Sequence, residues 1–248
     1  MHRVVEEISL KAWPAFETIN HYGWLMRFAN GYTKRANSVT VFDRVGLDIE
    51  EKITYCESQY RARKQKPIFR LLSFTNPKML DGELAARGYE IIEPSLVMGL
   101  ILSERSLNST YYINQETLND WLVAYHSLKA LGEQQSTIHR MILAGIKSEI
   151  LFVSFKQDEE IVACGIGVLE SGYLGIFDLV TSPMQRRRGY ATAIIQGLLQ
   201  WGIDKGAYFS YIQVVKANIP ACKLYEKLGY ESMYEYWYRV GCISGNQQ

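Results

Sequence analysis

Leu179-Val-Thr-Ser-Pro-Met-Gln-Arg-Arg-Arg-Gly-Tyr-Ala-Thr192 decides the reading of this chain. A β-type run ends at Leu179-Val180, Pro183 breaks it, and three arginines lead through Gly189 into a helical pattern. That pattern sets Ala191, Ile194, Ile195, Leu198 and Gly202 along one face at a 3.6-residue period. The first turn of a helix leaves backbone N–H groups without partners at the positive end of its dipole. A loop that aims those amides inward cradles a phosphate or pyrophosphate. Gly189 lets the backbone approach the anion without a Cβ, and Ala191 keeps the second approach nearly as close. Arg186, Arg187 and Arg188 add charge for further phosphate oxygens, and because basic residues there oppose the helix dipole, a purely structural origin explains them poorly. The stretch is neither a Walker A loop, which needs Gly-Lys-Ser/Thr, nor a three-glycine dinucleotide fingerprint.

Outward from this loop the second half reads as β-α-α-β-β-β-α-β-α-β. A short strand at Tyr111-Tyr-Ile-Asn precedes helices at Thr117–Leu131 and Glu133–Ile146, which break at Gly132. Strands follow at Ile150–Phe155, Ile161–Leu169 and Tyr173–Val180. After the arginine loop and its helix come a strand at Phe209–Val215, a helix at Ile219–Leu228 and a last strand at Tyr230–Val240. The expected class is α/β (α+β), a mixed central sheet flanked by helices. The first half predicts a helix near Lys11–Asn20, strands at Gly23–Ala29 and Ala36–Phe42, and a helix at Leu47–Arg63. A strand at Ile68–Phe74, a helix at Lys78–Arg87, a strand at Tyr89–Glu93 and an apolar stretch at Leu96–Leu102 complete it. Ser103–Thr110 is polar and aperiodic, which places a boundary there between a unit at 1–105 and one at 110–243.

Arg186-x-x-Gly189-x-Ala191, after a strand and opening a helix, resembles the Arg/Gln-x-x-Gly-x-Gly/Ala signature of the GNAT N-acetyltransferases. Downstream, Asn218-Ile-Pro-Ala-Cys-Lys-Leu-Tyr225-Glu-Lys-Leu-Gly-Tyr230 is similar to that family's second signature. The two lie in register, and the resemblance covers roughly residues 110–240. It implies an acyl-CoA N-acyltransferase-like fold and acetyl-CoA as co-substrate. By the same resemblance the amides of Arg187–Thr192 hold the pyrophosphate, the edge at Leu179–Val180 pairs with pantetheine, Asn218 contacts that arm, and Tyr225 sits near the sulfur. The implied reaction is direct acetyl transfer to a primary amine through a tetrahedral intermediate. A phenol of pKa about 10 is suited to stabilise or protonate a departing thiolate. An N–H near Val180 would stabilise the oxyanion, and Asp178, on the strand before the loop, is the candidate base that draws the amine's proton.

Asn76-Pro-Lys-Met-Leu-Asp-Gly-Glu-Leu-Ala-Ala-Arg-Gly88-Tyr-Glu echoes the stretch from Asn218 to Glu231, and nothing in the first half matches the cradle. This suggests a tandem chain whose N-terminal half is a degenerate acetyltransferase-like unit that walls the acceptor site. Each candidate also has a plainer reading: Tyr225 as a core residue, Asn218 as a helix cap, Asp178 as a structural carboxylate. The run Arg61-Ala-Arg-Lys-Gln-Lys66 suits the basic end of a helix. His126 and His139 lack the nearby Cys or Glu that a metal site wants.

Composition closes other doors. The 248 residues carry 27 Lys+Arg against 26 Asp+Glu, a net charge of +1, which argues against a dedicated nucleic-acid binder. The four cysteines at 56, 164, 222 and 242 form no close pair, so neither a zinc site nor a disulfide scaffold is expected. There is no signal-like or membrane-length apolar run, and a cytoplasmic protein without membrane contact is the expectation. The acceptor, a small molecule or a peptide amine, stays open, as does a homodimer. The competing class is a non-catalytic acetyl-CoA-binding or interaction protein, which would have no need of Tyr225.

Overall fold

The computed structural model describes residues 1–42, 48–102 and 113–242. The inferred boundary at Ser103–Thr110, and the first two residues of the strand expected at Tyr111–Asn114, lie outside them. Helix α1 (His2–Ala12) is followed by β1 (Glu17–His21), β2 (Trp24–Phe28), β3 (Val39–Val41), α2 (Ile49–Ala62), β4 (Ile68–Leu72), α3 (Lys78–Ala86) and β5 (Glu90–Ile101). The chain continues with β6 (Asn114–Glu116), α4 (Leu118–Lys129), α5 (Glu133–Ala144), β7 (Glu149–Gln157), β8 (Glu160–Glu170) and β9 (Tyr173–Thr181). It closes with α6 (Tyr190–Asp204), β10 (Phe209–Val215), α7 (Ile219–Lys227) and β11 (Glu231–Val240). The helix expected near Lys11–Asn20 is a correction: it ends at Ala12 because Pro14 cannot continue it, and the alternating Glu17-Thr-Ile-Asn-His21 pairs as a strand with β2.

Among the described residues eleven strands join one mixed sheet in the order β1-β2-β3-β4-β11-β5-β10-β9-β8-β7-β6. Among the described residues only β3 with β4 and β9 with β10 run parallel. The two parallel pairs are the same β-α-β unit, built once in each half. Each half sends its last strand into the other: β11 pairs with β4, and β5 lies between β11 and β10. A strand in the centre of a sheet is covered on both faces, and β5 has the sequence for it. Val97 packs with the core on one face, while Met98 and Leu100 pack with the core on the other. Gly99 lets the halves interlock, since a Cβ there would stand 2.4 Å from Phe209 Cζ and 2.6 Å from Met233 Sδ. The two short runs expected at Tyr89–Glu93 and Leu96–Leu102 are one strand, because Glu93 at φ +51° kinks it just ahead of Pro94 and pairing with β11 resumes beyond.

Helices α1, α4 and α5 pack on one face through Val5, Ile8, Trp121, Leu122, Tyr125 and Ile142. Helix α6 packs on the opposite face of β8 and β9 and, with α7, forms a second core. Burying Ile194, Ile195, Leu198 and Leu199 of α6 contributes about 1.5–3 kcal/mol each. Helices α2 and α3 close a third core over the β2–β4 strands. At the junction a fully buried pair, Arg70 on β4 and Glu6 on α1, is tied to β11 by the Tyr234 hydroxyl, which donates to Glu6 Oε2 at 2.7 Å.

Candidate active site

Strands β9 and β10 begin as a parallel pair, Phe209 opposite Tyr173 through Ile212 opposite Ile176, and then part. Each continues, to Thr181 and to Val215, without pairing to the other. Beyond the end of β9, a short 3₁₀ turn (Pro183–Gln185) leads into the arginine loop. Arg187 (φ +64°) and Gly189 (φ +87°) are both left-handed, the alternating backbone that gathers N–H groups into an anion-binding concavity. Gly189 is the N-cap of α6, no side chain caps this end, and the first turn carries no acid. The first backbone donor in this helix to find an acceptor is Ala193, which bonds to the Gly189 carbonyl. Arg186, Arg187, Arg188 and Gly189 are exposed, and Tyr190, Ala191 and Thr192 are half-buried. Tyr190 is held by its hydroxyl bond to Gln157 and by its ring against Phe155.

The other mouth of the gap is set by a bulge in β9. Cys164 pairs with Val180 and Ile166 with Phe177, so Asp178 and Leu179 together oppose Gly165. Asp178 takes φ +48° at this bulge. The bulge changes which face the carboxylate uses, because successive strand residues otherwise alternate. Phe177 and Asp178 both face α4 and α5, whereas Leu179 turns toward Ile194 on α6. Asp178 accepts from the Tyr125 hydroxyl on α4 at 3.1 Å, and its second oxygen lies 2.8 Å from His139 Nε2 on α5. His139 is fully buried, and its Nδ1 lies 3.1 Å from Nε2 of the half-buried His126. Burial lowers the His126 pKa, with His139 and Arg140 adding to the effect and Asp178 opposing it. The result is a chain of titratable groups from the gap toward solvent. The spacing of His126 and His139 gives no sign of it; only the bulge brings Asp178 to them.

The other sequence candidates divide. Asn218 caps α7, accepting from the Ala221 N–H at 3.3 Å, and is exposed on that helix end. Asn76, its counterpart in the echo, does not cap α3; it sits at φ +51° before Pro77. Tyr225 is buried on α7 among Cys222 and Tyr230, and burial, with the Cys222 thiol adding, pushes its pKa up to about 12. Two unforeseen residues from the N-terminal half close over Asp178. The Tyr32 ring lies 5.4 Å from that of His139, and burial together with the Asp178 charge raises its phenol pKa. The Arg35 guanidinium sits 5.4 Å from the Phe177 ring and 5.7 Å from that of Trp13. Among the described residues no cluster of His, Cys, Asp and Glu is arranged to hold a metal ion, and no helix is long and apolar enough to cross a membrane.

Parallel strands that splay beside an uncapped, glycine-started helix define the acyl-CoA N-acyltransferase fold, and this is a GNAT-type N-acetyltransferase. The chain belongs to the family described as "Probable histone acetyltransferase Rv0428c C-terminal", which matches residues 2–239. It is similar to the "Uncharacterized N-acetyltransferase YobR" of Bacillus subtilis (strain 168), at 28% identity over 96% of this chain and 98% of that one. In fold it is similar to a GCN5-related N-acetyltransferase from Kribbella flavida, with a TM-score of 0.74 at 12% identity, covering 98% of this chain and 95% of that one. It is also similar to a tandem GNAT protein from the clavulanic acid biosynthesis pathway, with a TM-score of 0.65 at 11% identity, covering 98% and 89%.

Proposed function

We propose that this chain transfers the acetyl group of acetyl-CoA directly to a primary amine held on the Asp178 side of the sheet. The observation that supports this most is the parting of β9 and β10, with a ring of donors at one mouth and a hydrogen-bonded carboxylate at the other. In this reading the amides of Arg187–Thr192 and the side chains of Arg186–Arg188 hold the pyrophosphate. The pantetheine arm pairs with the free edge at Leu179–Val180, and Asn218 meets it from α7.

The chemistry asks three things of the residues present. The amine must lose a proton, and Asp178 draws it, with His139 and His126 continuing the hydrogen-bonded chain from its carboxylate. The carbonyl oxygen becomes an oxyanion when nitrogen adds, and an N–H of the bulged strand near Val180 stabilises it. The carbon–sulfur bond then breaks and a thiolate leaves. With a pKa of about 12, Tyr225 gives a proton to a thiolate of pKa about 8.5 only uphill, so it acts as a hydrogen-bond donor to the sulfur. The N-terminal half, residues 1–105, is in this proposal a degenerate acetyltransferase-like unit. Its sequence carries no match to the Arg-x-x-Gly-x-Ala motif, and it walls the acceptor site of the unit at 110–243 with Tyr32 and Arg35.

Calorimetric titration with acetyl-CoA and with CoA tests the reading, repeated on Gly189→Glu. The variant forces a side chain into φ +87° and sets a carboxylate against the pyrophosphate. Affinity should fall at least about 100-fold, or about 2.7 kcal/mol. A wild-type protein that binds neither compound would overturn the proposal.

A further inference from the structure

We infer that the acceptor carries a carboxylate next to its amine, and that Arg35 is the residue that binds it; this rests on the acyl-transfer reading above. Three other arginines set deep in the molecule have partners on the protein. Arg27 gives its guanidinium hydrogens to the carbonyls of Leu10, Trp13 and Arg35. Arg70 has Glu6 as counter-charge and Gln213 as a further acceptor, although its Nε is unbonded. Arg239 meets both oxygens of Asp81 and the carbonyl of Tyr89. Arg35 differs from all three.

Among the described residues Arg35 forms no ion pair, and its buried Nε has no hydrogen-bond partner. The Tyr236 phenol on the exchanged strand β11 hydrogen-bonds to it, and the Tyr238 phenol and the Asp178 carboxylate act on it through their charge. A desolvated guanidinium with an unmet donor is costly unless something anionic reaches it. As a whole residue Arg35 is half-buried. Its guanidinium lies beside the stacked pair of Trp13 and Phe177, 5.7 Å and 5.4 Å from their ring centroids, and its backbone carbonyl is pinned by Arg27 at 2.7 Å. A guanidinium placed against aromatic rings on a pinned backbone is a preorganised fork for a carboxylate.

Phe177, beside which the Arg35 guanidinium lies, is the residue before Asp178, and the bulge turns both onto one face. Asp178 is close enough for its charge to raise the Arg35 pKa against the lowering effect of burial, an effect Tyr236 and Tyr238 share. An acceptor seated here meets a base at one end and a cation at the other within a short span. Trp13 and Tyr32 crowd the same place, their rings 5.9 Å and 5.4 Å from that of His139. That enclosure and the short span fit a free amino acid or a similarly small amino carboxylate. The whole-chain charge of +1 conceals this, because it averages over a surface the acceptor never meets.

The test is acetyl transfer, followed by thiol release, to a panel of free amino acids, each paired with its carboxamide. A carboxylate raises the pKa of the amine beside it, so at fixed pH the carboxamide has more neutral amine, and preference for the acid cannot come from the nucleophile. Wild type should favour the acid of its best pair by about 10- to 100-fold in kcat/KM. Arg35→Met, which keeps the stem's packing, should remove that preference by slowing the acid and leaving the carboxamide near its wild-type rate. Arg35→Lys should keep part of the preference. Acetyl-CoA affinity, measured on the same preparations, separates the two levels: loss of binding in wild type refutes the acyl-transfer reading itself. Binding with no acid preference in the panel overturns the present inference. So does an Arg35→Met variant that slows both members of a pair equally, since Arg35 would then be only the counter-charge of Asp178.

Discussion

Helices α2 and α6 occupy the same place in the two β-α-β units, each following the first strand of a parallel pair, and their first turns are built in opposite ways. Asp48 caps α2 by accepting from the Glu50 N–H at 3.0 Å, and Glu50 and Glu51 add negative charge to the same turn. This end satisfies its own dipole and repels an anion. Helix α6 begins at a left-handed glycine, has no side-chain cap and no acid in its first turn, and follows three arginines. In the proposed reading a ligand supplies that stabilisation. One fold thus appears twice, once closed upon itself and once open, and the difference lies in a handful of residues at one helix end.

The largest effect expected from breaking this asymmetry is on chemistry, at Asp178. Asp178→Asn keeps a hydrogen-bonding group opposite Tyr125 and His139 but removes the charge. Turnover should fall by roughly 10²- to 10⁴-fold, the usual worth of a positioned base. Acetyl-CoA affinity should hold, because the cradle lies at the other mouth of the gap. Steady-state kinetics beside calorimetry reads both, and unchanged turnover would remove Asp178 and its histidines from the reaction. A smaller effect is expected at Tyr225. Tyr225→Phe deletes a phenol whose pKa of about 12 makes it a donor of a hydrogen bond rather than of a proton. One charge-assisted bond lost is about 1.5–3 kcal/mol, so turnover should drop on the order of tenfold to a hundredfold. A loss nearer the Asp178 figure would mean that proton transfer to sulfur runs through Tyr225 after all.

The arginine loop and the start of α6 were legible in the sequence because their physics is local: a strand end, arginines, one glycine and a helix face lie within a single stretch. The fold of the C-terminal half was legible for a similar reason, each β-α step carrying its own period and punctuation. What stayed hidden depends on pairing between distant segments. The exchange of β5 and β11 leaves no mark in either strand, since an apolar central strand looks alike whichever neighbour it has. Asp178 reads as a residue alternating away from Phe177, and only the bulge opposite Gly165 turns it to His139. Arg35 gave no signal at all, because its meaning comes from Trp13 and Phe177, which reach it across the chain.

The smallest effect sharpens the comparison most directly. Asp48→Ala removes the cap of α2, a loss of about 1 kcal/mol, which in a chain of this size lowers Tm by about 2–4 °C. Acetyl-CoA affinity should not change, since α2 is not the end that binds. The matching measurement at α6 is made by adding ligand rather than by mutation. Acetyl-CoA at about 100 times its Kd should stabilise the fold by about 2.7 kcal/mol, raising Tm by more than the lost cap lowers it. The rise should persist in Asp48→Ala and be absent in Gly189→Glu. If Asp48→Ala instead weakened acetyl-CoA binding, the closed end would be part of the ligand site, and the contrast between the two helices would be one of degree.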